Sequence, residues 1–395
     1  MSKHARQQQA GAIIVLALCL RLVFLLVATD NIDVQNYARV ATIVEQHGAA
    51  ALYAETQGIY PYPPVWMRVE VLAAQVADTL KGSYSLLVRL PIVLADLLIV
   101  ALLAAWQAKE RNPRWLSAAF LYAVNPVALI VTCLHGQFDA IPIAFLLLSL
   151  FLLAFNYRTS YSGLALAFAI AVKSFPVLFL PIMVAYAKAG RERRRLVGLA
   201  LAPVVLLLLT YLILWPTDLV RELFGYRGAA LLGFMVPIRT LYVPLAHASF
   251  PVDTTTQLLR FSAYAFLAAY LVYLAGIWRR QPLLLTDTVA VFALFYTIYA
   301  GIAPQYTLWM LPFLLLTHVR LAILYTVSAT FALVGFYLYA VPDTLPFAAG
   351  VPHMVTQVLY ALGGTAWWLT AAVILAFALR DSSTVRSRRA VVLTA

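Results

Sequence analysis

Charge is what this sequence has least of. Charged residues fill 11% of the 395 positions against 64% hydrophobic, and the mean hydropathy is +0.87. That composition excludes an ordinary soluble domain and points to a polytopic membrane protein. Cysteine is nearly absent: Cys19 and Cys133 both fall inside apolar runs, so no disulfide framework or redox compartment can be read from them. There is no internal repeat, no Gly/Ser linker and no terminal soluble domain, and the tail 380–395 is short and basic. The first apolar run, 11–28, is long and lacks a small-x-small cleavage site, so it is expected to stay. The net charge of +12 would suggest nucleic acid in a soluble chain, but here the basic residues sort by side of the membrane.

What the sequence has is apolar runs of roughly 20 residues, the length that crosses a bilayer. Twelve such segments are expected: 11–28, 86–106, 115–134, 140–156, 161–171, 175–187, 196–215, 256–278, 285–302, 304–316, 321–340 and 355–379. With both termini cytoplasmic, most of the 28 lysines and arginines fall in inner loops. Segment 64–80 is kept outside, because a span there would turn Lys109, Arg111 and Arg114 outward. The expected fold is an all-α bundle in a single membrane domain, 1–395, with two large outer loops at 29–85 and 216–255 that carry interfacial helices. All acids with room to act then lie outside or at membrane depth.

The first outer loop is the centre of the reading. Asp30 and Asp33 follow the first apolar run directly, and Val34, Tyr37, Val40, Ala41 and Val44 recur at helical spacing, predicting a helix that lies on the membrane. The acids either favour the positive end of that helix or do chemistry, with Asp33 the stronger candidate. Arg158 and Lys173 are 15 residues apart, a rise of only ~22 Å, so Lys173 sits below the outer surface. An ammonium there either snorkels to the headgroups or faces an anion, which a lipid phosphate would supply. The turn His135-Gly136-Gln137-Phe138-Asp139 offers an imidazole, an amide and a carboxylate that can orient a sugar, pair with Lys173, or form a satisfied polar turn; it lacks metal-ligand spacing. Gln305, Tyr306 and Trp309 follow Pro304, and an aromatic belt accounts for the two aromatics. Arg89 and Asp96, seven residues apart on one helix face, read as a structural pairing within the bundle; Arg21 and Asp287 have no evident role. In the second outer loop Arg221, Arg227 and Arg239 interleave with aromatics, a pattern for anionic headgroups or for a solvated amphipathic helix.

The sequence resembles the GT-C glycosyltransferases that take sugars from polyprenyl phosphates, especially the GPI-anchor first mannosyltransferase and its bacterial relatives. The resemblance is carried by NIDVQNY followed by Tyr60-Pro61-Tyr62-Pro63-Pro64, by HGQFD, by Lys173-Ser174-Phe175-Pro176 and by QYTLWMLP. Where that family has a DxD, this chain has Asn31-Ile32-Asp33. The resemblance implies an inverting transfer of one hexose, mannose first, with no cofactor and no divalent metal. Asp33 would be the general base on an acceptor hydroxyl. Lys173 and Arg227 would meet the departing lipid phosphate. His135, Gln137, Asp139, Tyr60, Tyr62, Gln305 and Tyr306 would line the substrate site. The implied partners are a polyprenyl-phosphate sugar donor, a glycolipid, glycan or protein acceptor and membrane lipids, with no nucleic acid.

Two other readings stay open: a transporter or flippase of a lipid-linked glycan, which would show paired halves with interrupted helices, and a membrane glycan ligase. The expected location is a bacterial plasma membrane, or the endoplasmic reticulum in a eukaryote, with the active face extracytoplasmic.

Overall fold

The structure, a computed structural model, describes residues 3–110, 117–246, 249–346, 348 and 350–393. Along these residues the chain is helical and has no strand. In chain order the helices are α1 (Lys3–Leu26), α2 (Ile32–His47), α3 (Leu52–Thr56), α4 (Val65–Leu80), α5 (Tyr84–Lys109), α6 (Ser117–Ala123) and α7 (Pro126–Leu129). The last runs on as a π-helical stretch, Ile130–His135. Then come α8 (Ala140–Ala154), α9 (Thr159–Val172), a 3-10 turn at Phe175–Phe179, α10 (Leu180–Tyr186), α11 (Gly190–Leu214), α12 (Pro216–Gly225) and α13 (Met235–Ala246). The chain closes with α14 (Val252–Trp278), α15 (Leu284–Ile298), a 3-10 turn at Pro304–Leu308, α16 (Leu311–Thr317), α17 (Val319–Ala340) and α18 (His353–Leu393).

Each of the twelve expected apolar segments contains helix among its described residues, but fewer are long enough to span. Among the described residues, six helices are long and apolar enough to cross a membrane, or seven if α6 and the Pro126–His135 helix, bent by 43°, count as one span. The others, including α8 (15 residues), α9 (14 residues) and α15 (15 residues), are shorter. At 1.5 Å per residue, 14 or 15 residues rise only ~22 Å, well short of a ~30 Å hydrocarbon core. Counting apolar runs overestimates spans because prolines and turns cut several of them. The protein is multi-pass, and α4, at 16 residues, is not among the apolar helices, which agrees with its placement off the span list. Arg111 and Arg114, which carry the inward assignment of one loop, lie outside the described residues.

Two compact units form. The first comprises Met1–Leu180, Ala189–Tyr226 and Asp343–Pro346; the second comprises Pro181–Lys188, Arg227–Pro342 and Phe347–Ala395. In the first unit, α2 buries the face the periodicity predicts, Val34, Tyr37, Val40, Ala41 and Val44, and packs on α4, which in turn packs on α5 and α9. Inside the same unit Arg21 is fully buried and its Nε lies 2.6 Å from Asp96 Oδ2, while the Tyr122 hydroxyl donates to Asp96 Oδ1 at 2.6 Å. This corrects the expected Arg89–Asp96 pair. Seven residues along one helix separate two Cα atoms by ~10 Å, too far for that contact when a guanidinium on α1 is nearer.

In the second unit, Asp287 takes up Arg280, the Tyr273 hydroxyl (2.7 Å) and the Leu283 N–H (2.8 Å), which gives it the role the sequence left open. Tyr306 and Trp309 are buried and stacked 3.9 Å apart, with Phe295 stacked on Trp309 at 5.9 Å. They form an internal aromatic stack, not a membrane belt. Helices α17 and α18 approach backbone to backbone at two glycines. A Cβ on Gly335 would lie 2.5 Å from Tyr360 N, and one on Gly363 would lie 2.6 Å from the Phe331 carbonyl carbon. Backbone atoms cannot rotate aside, so the helices would have to separate. Gly363→Val is therefore expected to destabilise by about 1–3 kcal/mol, the cost of overpacking. Gly276→Ala on α14, where nothing lies within 4 Å, should leave the thermal midpoint in detergent unchanged or slightly raised.

Candidate functional site

The first unit gathers a polar cluster from three separated stretches. Asn31 caps α2: in extended backbone, its side chain accepts the N–H groups of Asp33 (3.1 Å) and Val34 (3.2 Å). The same side chain donates its Nδ2 to the His135 carbonyl at 2.7 Å, so one residue both starts the helix and fixes the facing turn. The second stretch is the π-helical segment Ile130–His135, which ends at Gly136 in left-handed backbone (φ 77). A Cβ there would sit 2.7 Å from Arg89 Nε, so both the conformation and the space require glycine. The third is the end of α9, where Lys173 leaves the helix in extended backbone before Pro176 opens the next turn.

The carboxylate of Asp33 receives two contacts on one oxygen: His135 Nε2 and Gln137 Nε2 each lie 2.5 Å from Oδ2. Burial presses this carboxyl's pKa upward. The hydrogen bond and charge of His135, the Gln137 amide and the Lys173 charge outweigh that and hold it below the usual carboxylate range. Asp33 is therefore a stable anion and a weak proton acceptor. Its side chain is still 30% exposed. Beside it, the buried Gln137 Oε1 accepts no hydrogen bond. Asp30 goes elsewhere, lying 4.0 Å from Arg89 and largely exposed.

Lys173 is 5% exposed and its Nζ lies 2.9 Å from both oxygens of the fully buried Asp139. The anion that the sequence reading assigned to a lipid phosphate is thus supplied by the chain itself. The Lys173 ammonium also sits 5.2 Å from the Tyr62 ring centre and 5.1 Å from that of Phe138. Phe138 stacks on Trp66 (4.5 Å, 15°), and Tyr37 meets both edge-on. Tyr60 is structural: its hydroxyl donates to the Pro63 carbonyl (3.0 Å) and accepts the Met67 N–H (2.7 Å).

Arg227, Gln305 and Tyr306 belong to the second unit. There the Arg227 carbonyl accepts the Tyr299 hydroxyl at 2.7 Å, Gln305 is buried, and the Tyr306 carbonyl accepts the Tyr296 hydroxyl at 2.5 Å. Among the described residues, no three His, Cys, Asp or Glu side chains converge as a metal-ligand set.

Three residues of the first unit escaped the sequence reading. Asn31 carried a legible signal, an Asn directly before a helical pattern. Arg89 was assigned to the wrong partner. Its Nη2 donates to the carbonyls of Thr29 (2.7 Å) and Leu134 (3.3 Å), clamping the two segments that bring Asp33 and His135 together. Glu70 on α4 is fully buried, and neither its oxygens nor the nearby Trp66 Nε1 closes a hydrogen bond. Burial pushes its pKa well above the ordinary carboxyl value, with only Trp66 opposing, so it is held neutral behind the aromatic wall.

The family described as GPI transamidase subunit PIG-U matches residues 15–222, more than half of the chain. This chain belongs to the PIG-U family. The matched region starts in α1 and stops in α12, so it contains every member of the polar cluster and none of Arg227, Gln305 or Tyr306. No curated protein matches the chain. The family overturns the expected hexose transfer from polyprenyl-phosphate mannose. A transamidase exchanges amides and has no sugar-phosphate leaving group, so a general base on a sugar acceptor and a polyprenyl sugar donor lose their basis. The glycan-ligase alternative lies nearer to a PIG-U protein than the mannosyltransferase did, because a ligase also joins a preformed unit to an acceptor.

Two outcomes follow from these buried groups. Asp139→Ala strands the Lys173 ammonium and is expected to cost about 3–5 kcal/mol, whereas Asp139→Ala combined with Lys173→Met should recover most of it; thermal unfolding in detergent measures both. For Glu70 the sign runs with its raised pKa: the unfolded chain loses that proton near pH 4 and the folded one keeps it, so stability falls as pH rises between the two values. Glu70→Gln removes that loss and should raise the melting temperature more at pH 8 than at pH 5.

Proposed function

We propose that this chain works as a membrane subunit of a GPI-transamidase-type assembly, and that the Asp33–Gln137–Lys173 cluster holds the polar part of a lipid-linked substrate at the membrane surface without performing the amide exchange. The observation that carries this reading is the PIG-U match over residues 15–222, which contains the whole cluster. Two features support a holding role. An amide exchange through a covalent intermediate needs an activated nucleophile, and neither cysteine is placed for that: Cys19 is exposed on α1, and the buried Cys133 has its Sγ 3.4 Å from Thr132 Oγ1. The cluster offers an acceptor to a guest through Asp33, a partly exposed anion, while the unmatched Gln137 Oε1 beside it is buried. The cations are already engaged, Lys173 by Asp139 and Arg89 by backbone carbonyls. A ligand bearing hydroxyl or ammonium donors satisfies such a site.

The test is attachment of a GPI-anchored reporter in native cells depleted of the chain. Wild type should restore attachment and purify in mild detergent with other subunits; Asp33→Asn and Gln137→Ala should accumulate and co-purify normally yet restore several-fold less. A chain that purifies alone, with anchoring undiminished by its loss, would overturn the reading.

A further inference from the structure

A second charged surface lies in the first unit, on α11, at the opposite end from the polar cluster. The helix opens with Gly190-Arg191-Glu192-Arg193-Arg194-Arg195 and runs 25 residues to Leu214. Its far end reaches the side that carries the cluster: the Tyr211 ring packs edge-on against Tyr53 at 4.9 Å, and the Tyr53 hydroxyl donates to the Tyr62 carbonyl at 2.8 Å. Arg195 and the exposed Trp215 are separated by a rise of ~30 Å, the thickness of a bilayer's hydrocarbon core. The arginines therefore stand at one headgroup level and the tryptophan at the other.

The two faces of α11 have different tasks. Leu196, Ala200 and Val204 are buried at i, i+4 and i+8, and α9 packs there through Gly163, where a Cβ would lie 3.0 Å from Leu199 Cβ. The other face is bare: Val205, Leu206, Leu209, Leu212 and Ile213 are all exposed. Arg194 precedes Val205 by three helical turns, as Arg195 precedes Leu206, so these guanidiniums stand in line above the bare stripe, with Arg191 beside them. All three arginines are exposed, and among the described residues none is in an ion pair. The acid of that turn, Glu192, folds back on the helix start, its Oε2 accepting the Ala189 N–H at 3.4 Å. Helix α9 runs the same way, from the exposed Arg158 to Lys173, so two positive helix ends add to the field of the arginines.

Charge and stripe together select the ligand. A soluble anion uses the arginines and leaves the stripe uncovered. A zwitterionic phospholipid covers the stripe, but its own ammonium meets only cations. An anionic phospholipid satisfies both. We propose that the basic end of α11 retains an anionic phospholipid, its phosphate held by Arg191, Arg194 and Arg195 and an acyl chain lying along Val205, Leu206 and Leu209. The site stands on α11 alone and does not require the transamidase reading.

The experiment places the full chain in phosphatidylcholine nanodiscs doped with a phosphatidylglycerol that is photoactivatable on its acyl chain or, as control, the matching phosphatidylcholine. The two probes share a phosphate and a chain and differ in net charge. Labelling by the phosphatidylglycerol probe should map to residues 202–209 and exceed the control several-fold. Replacing Arg191, Arg194 and Arg195 together by Gln should lower it by at least tenfold, toward the control, whereas replacing all three by Lys should keep most of it. In the unaltered protein, 1 M salt should shrink the excess, because the screening length falls to ~3 Å. Equal labelling by the two probes, an excess unmoved by salt, or full labelling in the Gln variant overturns the proposal. Displacement by millimolar inorganic phosphate at constant ionic strength also overturns it, assigning the arginines to a soluble anion.

Discussion

The Lys173–Asp139 ion pair is the contact on which the site depends. The lysine that ends a 14-residue helix is buried inside the protein, where an unpaired ammonium is costly. Its counter-ion comes from the turn that begins α8. Because Asp139 is fixed by this pairing, Phe138 beside it is fixed as well, and Phe138 carries the aromatic wall of Trp66, Tyr37 and Tyr62. His135 and Gln137, two to four residues upstream, then converge on Asp33. The same pairing recurs in the first unit at Arg21–Asp96 and in the second at Arg280–Asp287, whereas the buried Arg89 is held by backbone carbonyls.

Much of this was legible in residues whose environment is set locally. The buried face of α2 follows from five apolar positions at helical spacing. The proximity of Asp139 to Lys173 was one of the stated possibilities because the turn and the helix end lie on the same side. What failed were pairings between distant segments. Arg89 and Asp96 share a helix face, yet a face is no contact at ~10 Å, and their real partners sit on α1 and in the π-helical turn. Tyr306 and Trp309 look like belt residues in a one-dimensional reading, since nothing local reveals that Phe295 covers them. Glu70 gave no signal at all: on a short amphipathic helix an acid reads as solvated until the packing of α2 and α5 is known.

The functional misreading has a similar origin. Short motifs fixed which residues meet but not the sign of what they want. A site for a departing lipid phosphate needs a free cation. In the first unit Lys173, Arg89 and Arg221 are all engaged by carboxylates or carbonyls, while Asp33 is a partly exposed anion. The match to a transamidase subunit family agrees with this balance. Amines and hydroxyls are the donors that an unmatched acceptor holds.

That charge logic also limits what the cluster can do by itself. Asp33 is kept ionised by its neighbours, and the more firmly His135 and Gln137 hold it, the less it gains by taking a proton. A carboxylate tuned in this direction is suited to binding a donor and keeping it oriented, and ill suited to deprotonating one. Its two short contacts to one oxygen leave the other oxygen and the exposed edge for a guest. A preformed acceptor array beside an aromatic wall needs little reorganisation to hold a polar headgroup, which is the property a subunit requires if it presents a lipid-linked substrate to chemistry carried out elsewhere in an assembly.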